Sequence, residues 1–336
     1  MPVIRTEQLT KIFRVVRKEP GLRGSLKALV RPRFENIAAV NQVSFEIDAG
    51  EIVGYIGVNG AGKSTTIKML TGILVPTSGS VQVLGRDPHR QRVANAREIG
   101  AVFGQRTQLW WDLPFIESLA LVGRIYEVPP ARYRQLLKDF EDTLGLSELL
   151  HIPIRNMSLG QKMRAELAAT LIHEPRVVYL DEPTIGLDLL AKERIRDFIR
   201  EQNRGRGTTV LLTTHDLGDI EQLCPRVIII DAGRLIYDGP IATIKERFGR
   251  HREITFETSE ATTAIELPRD CTRLAAEPHR LTLRFDRTRT TASQIAAAVM
   301  EQIEVLDFSL AEPDLASIVR QIYQGGLREV EGNPRS

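Results

Sequence analysis

Short apolar runs rich in Val, Ile and Leu alternate with longer stretches of helical period, the pattern of an α/β domain built on a largely parallel sheet. Val43–Ile47, Ile52–Ile56, Val81–Val83, Ala101–Phe103, Val177–Leu180, Val210–Thr213 and Val227–Ile230 predict strands. Between Thr107 and Ile154 no comparable run occurs, and the helical pattern predicts an inserted lobe at about 107–157. A DGP turn at Asp238–Pro240 and a short helix ending near Gly249 are expected to close a first domain, 1–249. From Arg252 the character changes. Ile254–Thr258, Leu281–Phe285 and Val305–Leu310 predict strands, and Ser293–Ile303 and Leu315–Tyr323 helices, so 250–336 reads as a small, separate α+β domain.

Composition adds limits more than content. The chain has 336 residues, 42% hydrophobic and 26% charged, with a net charge of +2. That is an ordinary globular balance with no global field to recruit nucleic acid. Two cysteines are too few for a disulfide framework and suit a reducing compartment. The start MPVIRTEQLTK lacks the apolar core of a signal peptide, and no run approaches the roughly 18 apolar residues of a membrane span. One segment departs from the balance. Residues 14–33 hold Arg14, Arg17, Lys18, Arg23, Lys27, Arg31 and Arg33 against Glu19, a local +6. Leu22, Leu26 and Leu29 there are spaced as one face of a short helix. The insert is either a solvated loop or a segment that lies on anionic lipid or an acidic partner.

The chemistry is concentrated in two places. Gly57-Val58-Asn59-Gly60-Ala61-Gly62-Lys63-Ser64 fits G-x-x-x-x-G-K-[ST] between a predicted strand and a helical run, the context that motif requires. Its glycines let backbone N–H groups face phosphates and the following helix adds its dipole. Lys63 would reach the β- and γ-phosphates and Ser64 would ligate Mg²⁺. Lys63 is expected in a solvent-facing loop, its ammonium unpaired until phosphate arrives. Val177–Leu180 ends in Asp181 and Glu182, carboxylates at the end of a strand where open α/β sheets bind ligands. Asp181 suits Mg²⁺ and Glu182 suits a base for an attacking water.

With these residues the chain resembles the nucleotide-binding subunit of an ATP-binding cassette (ABC) transporter over about residues 3–240. Gln105 matches the glutamine loop, Ser158-Leu159-Gly160-Gln161 the signature sequence, Asp188 the aspartate loop, and His215 the switch histidine. Phe13 matches the aromatic that stacks on adenine, with Phe34 as competitor across the basic insert. Val58 and Leu159 depart from the family's proline and glycine. The version of the signature, Met157–Arg164, with the basic insert and C-terminal module, looks most like the ATPases of multidrug and ABC-2 type exporters.

The resemblance implies an ABC ATPase core with an antiparallel β subdomain and a helical lobe. It implies that ATP is held by Phe13, Gly57, Asn59, Gly60, Ala61, Gly62, Lys63, Ser64, Thr65 and Thr66. Asp188 of the aspartate loop would also belong to the nucleotide site, and a second copy, or a homologous subunit, would offer Ser158, Gly160 and Gln161. Glu182, His215, Lys63 and Gln105 would serve hydrolysis, and Ser64, Gln105 and Asp181 would hold Mg²⁺. The permease would be a separate multispanning chain reached through the helical lobe, placing this subunit at the cytoplasmic face of the membrane. Trp110 and Trp111 are either its grip on that partner or core residues of the lobe. The alternative is a non-transport member acting in DNA repair or on ribosomes. One phosphate loop, no heptad tract and no strong basic charge weigh against it.

Overall fold

A computed structural model describes residues 2–17, 33–104, 107–248, 251–259, 265–268, 270–311 and 314–323. The chain divides into two compact units, Met1–Asp238 and Gly239–Ser336. The helix expected to close the first domain therefore falls in the second unit.

The first unit contains two sheets. Strands β1 (Pro2–Arg17), β2 (Arg33–Asp48) and β4 (Ser78–Val83) form an antiparallel three-stranded sheet in the order β2-β1-β4. β3 (Ile52–Gly57), β5 (Ile99–Phe103), β6 (Val177–Asp181), β7 (Thr209–Thr213), β8 (Arg226–Asp231) and β9 (Arg234–Pro240) form the second, in the order β5-β6-β7-β3-β8-β9. The pairs β5–β6, β6–β7, β7–β3 and β3–β8 are parallel. β3 and β7 are buried along their whole length. Strands covered on both faces read as continuous apolar runs, which is why the sequence displayed them so clearly. One core joins the sheets, with Ile4, Leu9, Val43 and Ile47 packed among Tyr55, Ile67, Tyr179, Leu211 and Ile228.

Helices α1 (Lys63–Leu70) and α2 (Arg92–Glu98) precede β4 and β5 respectively. α3 (Phe115–Ile125), α4 (Pro130–Leu144) and α5 (Leu159–Leu171) build the helical lobe, followed by α6 (Leu189–Arg206) and α7 (Leu217–Leu223).

Two strands of the first unit escaped the sequence reading. β1 alternates polar and apolar side chains without a Val/Ile run, so its period is weak in the sequence. β9 follows β8 through Ala232 and Gly233, both at positive φ as a two-residue hairpin turn demands. Ala-Gly is a poor signal for that turn. The expected DGP turn is corrected, because Asp238, Gly239 and Pro240 continue β9.

The basic insert also looks different in the fold. β4 pairs with β1 only as far as Thr10, whereas β1 and β2 stay paired out to Arg17↔Arg33. Its flanks are thus strands of a two-stranded ribbon, on which Ile12, Phe13, Val15, Phe34 and Ile37 are exposed. Residues 18–32, with the leucine face read there, lie outside the described residues.

The second unit is an antiparallel sheet ordered β11-β12-β10-β13, from β10 (His251–Thr258), β11 (Cys271–Glu277), β12 (Arg280–Asp286) and β13 (Val305–Ala311). It carries α8 (Ile241–Phe248), α9 (Ala292–Met300) and α10 (Leu315–Tyr323). Ile254, Phe256, Leu281, Leu283 and Phe285 meet Ile295 and Val299 in a core of its own.

Candidate functional site

The site lies at the carboxyl ends of three neighbouring parallel strands, β6, β7 and β3. After β3 the chain turns through Val58–Gly62 into α1. Gly62, the residue capping that helix, has φ 107, and a Cβ there would sit 2.3 Å from the Ala39 carbonyl oxygen. Only glycine lets the loop pass β2 this closely. From the other side Gly233 N–H donates to the Ala61 carbonyl (3.1 Å), so the β8–β9 turn braces the loop.

Lys63 corrects an expectation. It is 7% exposed, and its Nζ donates to the Gly57 carbonyl at 2.6 Å and the Val58 carbonyl at 3.3 Å. Burial lowers its pKa, while the charges of Glu182 and Asp181 act the other way. The ammonium thus spans its own loop, where it holds the open end of the cradle in shape.

The two oxygen-bearing candidates for a metal meet. Ser64 Oγ donates to Asp181 Oδ2 at 2.9 Å, and Thr213 Oγ1 donates to Asp181 Oδ1 at 2.5 Å. An aspartate and a hydroxyl at this separation are a donor set suited to a hard cation such as Mg²⁺. Thr213 was not picked out in the sequence, although it closes β7 two residues before His215. Gln105 lies outside the described residues.

Glu182 follows directly. Its backbone is left-handed (φ 59), unusual for glutamate, and its N–H is tied to the Thr213 carbonyl at 2.9 Å. Strain of this kind persists where the surroundings enforce it, and it turns the side chain away from the strand. Glu182 Oε1 and His215 Nε2 stand 2.6 Å apart. A carboxylate and an imidazole are therefore in hydrogen-bond contact at the strand ends, an arrangement that could serve as a base and the group that orients it.

A polar network that no sequence motif marks runs beside these strand ends, buried at Thr184, Arg196 and Asp219. Arg196 of α6 bonds Asp219 of α7 at 2.9 Å, and Thr184 donates to the same carboxylate at 2.6 Å. Lys192 Nζ bonds Asp216, the neighbour of His215, at 2.5 Å, and holds that carboxyl below the usual range. The loop after Glu182 is thus fastened to α7, and α7 and the residue after His215 are fastened to α6.

The signature residues sit elsewhere in the same unit. Ser158 caps α5, accepting from Gln161 N–H at 3.2 Å, while the Gln161 side chain accepts from Ser158 N–H at 2.8 Å. Gly160 is in the first turn of α5. Leu159, the departure from the family pattern, packs beside Gly186. Asp188 caps α6 by accepting from Ala191 N–H at 2.8 Å. Among the described residues no hydrogen bond joins Ser158, Gly160 or Gln161 to the loop at 57–66. Phe13 and Phe34 occupy opposite faces of the ribbon; Lys11 Nζ lies 5.4 Å from the Phe13 ring and Arg14 lies 3.8 Å from that of Phe34. Asn59 and Gly60 are exposed and Ala61 and Thr66 buried, with Thr65 between those extremes. Thr66 Oγ1 accepts from the Tyr55 hydroxyl (3.1 Å) and serves the packing of α1.

Neither tryptophan is a core residue of the lobe. Trp110 is 41% and Trp111 52% exposed.

Comparison with known proteins agrees with this geometry. The family model described as "ABC transporter" matches residues 40–185. The daunorubicin/doxorubicin resistance ATP-binding protein DrrA of Streptomyces peucetius is 32% identical, over 85% of this chain and 88% of that protein. The Nod factor export ATP-binding protein I of Burkholderia lata is 36% identical, over 66% of this chain and 72% of that protein. A solved structure described as the ATP binding subunit of an ABC transporter superposes with a TM-score of 0.61 at 26% identity. It covers 74% of this chain and 93% of its own.

Proposed function

This chain belongs to the ABC transporter family of ATP-binding subunits, and on that premise we propose how its own residues bind and hydrolyse ATP to drive export. It is an ATPase. None of its described helices is long and apolar enough to cross a membrane, in keeping with a transport path built by another polypeptide. The observation that carries the reading is the convergence of Lys63, Ser64, Asp181, Glu182 and His215 at the ends of β3, β6 and β7.

In this reading the phosphates enter the cradle at 57–64, and Lys63 turns from the Gly57 and Val58 carbonyls to the β- and γ-phosphates. Ser64 and Asp181 would hold Mg²⁺, which when bound would neutralise phosphate charge. Glu182, oriented by His215, takes a proton from water as the water oxygen bonds the γ-phosphorus and the bond to the β,γ-bridging oxygen breaks. ADP and phosphate leave. The transition state carries charge on equatorial oxygens that the cradle alone does not cover. Ser158, Gly160 and Gln161 have no bond to their own cradle, which supports their serving the cradle of a second copy or of a homologous subunit. Phe13 stacks on adenine.

Export follows the names of the relatives, one a drug-resistance and one an export ATP-binding protein. The exposed tryptophans meet a multispanning permease, and the basic insert lies on anionic lipid at the cytoplasmic face. The test is purification of the tagged chain from membranes, followed by ATP-driven cargo movement in vesicles of known orientation. A multispanning partner that co-purifies and outward transport are expected. Inward transport would overturn the direction, and ribosomes or DNA in place of a permease would favour the non-transport alternative.

A further inference from the structure

Helix α5 carries, one turn and more behind the signature residues, a row of side chains at Lys162, Glu166 and Thr170. Spacing of four places them on one face. All three grip the same stretch of chain, 107–111, which begins two residues after Gln105 and ends in the tryptophans. Thr107 Oγ1 donates to Glu166 Oε2 at 2.7 Å, and Gln108 N–H donates to Glu166 Oε1 at 3.0 Å. Gln108 Nε2 donates to Thr170 Oγ1 at 2.8 Å. Lys162 Nζ stands 4.5 Å from the Trp111 ring.

Glu166 is the unexpected member. It is 5% exposed on a helix whose neighbours Met163, Ala165, Leu167, Ala168 and Ala169 are buried. Burying a carboxylate among apolar side chains is unfavourable unless its oxygens are satisfied. Here both oxygens are bonded by a segment with no regular structure of its own. Thr107 Oγ1 also accepts from Leu109 N–H at 3.0 Å, so the segment's turn is built around the hydroxyl that Glu166 holds.

We propose that Glu166 is a positioning residue that locks the segment 107–111 to the signature helix, so that the surface offered to the permease and the donors offered to the second ATP move as one body. The inference rests on the assignment of Ser158 and Gly160 to a second subunit's ATP and of the tryptophans to the permease. When α5 closes on the γ-phosphate, the tryptophan segment is carried with it. When the permease shifts the tryptophans, Ser158 and Gly160 are displaced. Glu166 touches neither nucleotide nor partner.

The chain's two tryptophans are both in this segment, so their emission reports on it alone. The experiment uses the full chain carrying Glu182→Gln to hold MgATP, with light scattering for dimers, calorimetry for ATP and tryptophan emission for the segment. MgATP is expected to change the emission as dimers form. Glu166→Leu should still bind ATP and dimerise but lose the emission change. Glu166→Gln, whose carboxamide oxygen can still accept from Gln108 N–H, should restore it. With Glu182 intact and the permease present, Glu166→Leu should lower kcat on the order of 10²-fold, the scale of about 1 Å of misplacement, with KM for ATP unchanged. A lesion of folding would move KM and the melting temperature as well. Should the leucine variant not fold, Thr107→Val removes one donor at similar size and should weaken the emission change. An unaltered emission change in either variant, or none in the parent when dimers form, overturns the proposal. A parent that binds no ATP would instead strike the ATPase reading, and this inference with it.

Discussion

Glu182→Gln tests the hydrolytic centre most directly. The substitution keeps the side chain's shape and leaves the left-handed backbone and the Thr213 tether as they are. A carboxamide oxygen can still accept from His215, 2.6 Å away, if the imidazole nitrogen carries a proton. What disappears is the negative charge that, in the proposed mechanism, takes the proton from water. A lost general base costs about 10²–10⁴ in rate, or ~3–5 kcal/mol on the barrier. Folding stability should change far less. Side-chain exposures of 44% for His215 and 24% for Glu182 make their contact a partly solvated one, worth about 1 kcal/mol or less. ATP binding should survive, since Lys63, Ser64 and Asp181 are untouched. The expected picture is phosphate release near background, calorimetric affinity equal to or tighter than the parent's, and a doubled mass by light scattering with MgATP. Adding a bulky residue at Ser158 should return the mass to that of one chain. Full ATPase activity in Glu182→Gln with the permease present would refute the reasoning and assign the water to another residue.

Lys63→Ala should abolish most ATP affinity by calorimetry. Because the ammonium bridges the Gly57 and Val58 carbonyls, it should also lower stability by roughly 1–3 kcal/mol in denaturant titration. An unchanged midpoint would mean that this bridge contributes nothing. Replacing Arg23, Lys27 and Arg31 by Gln should weaken binding to anionic vesicles at low salt by roughly 1 kcal/mol per charge while sparing ATP turnover. Equal vesicle binding would make the insert a solvated loop. A chain ending at Pro240 should bind ATP like the full chain. One ending at Gly249 keeps α8 without the α10 it packs on, and should aggregate more readily. Failure of the shorter chain to bind ATP would make the second unit part of the nucleotide site.

The sequence by itself determined the parts that depend on local chain geometry or on a continuous apolar run. Buried parallel strands such as β3 and β7 announce themselves because both faces are covered. The phosphate loop is legible because Gly62 and the Lys63-Ser64 pair must fall in order between a strand and a helix. Glu182 could be named because it follows a buried strand directly, whereas His215, two residues past β7, was named through the family resemblance. Strand β9 was missed because a hairpin turn made by Ala232 and Gly233 lacks the usual residues, and β1 because its alternation is masked by polar positions. Tertiary structure alone decided which charges are solvated and which are buried. Glu166, Arg196 and Asp219 belong to no motif, and nothing in the sequence singles them out. Each acquires its role from a partner many residues away, Thr107, Asp219 and Thr184 respectively for the contacts described. The same holds for Lys63. Spacing gave its place in the loop, but only the fold of that loop back over its own carbonyls showed where the ammonium rests. A carboxylate or ammonium is satisfied by whatever polar group the packing brings within about 3 Å, and that neighbour is set by the folded chain as a whole.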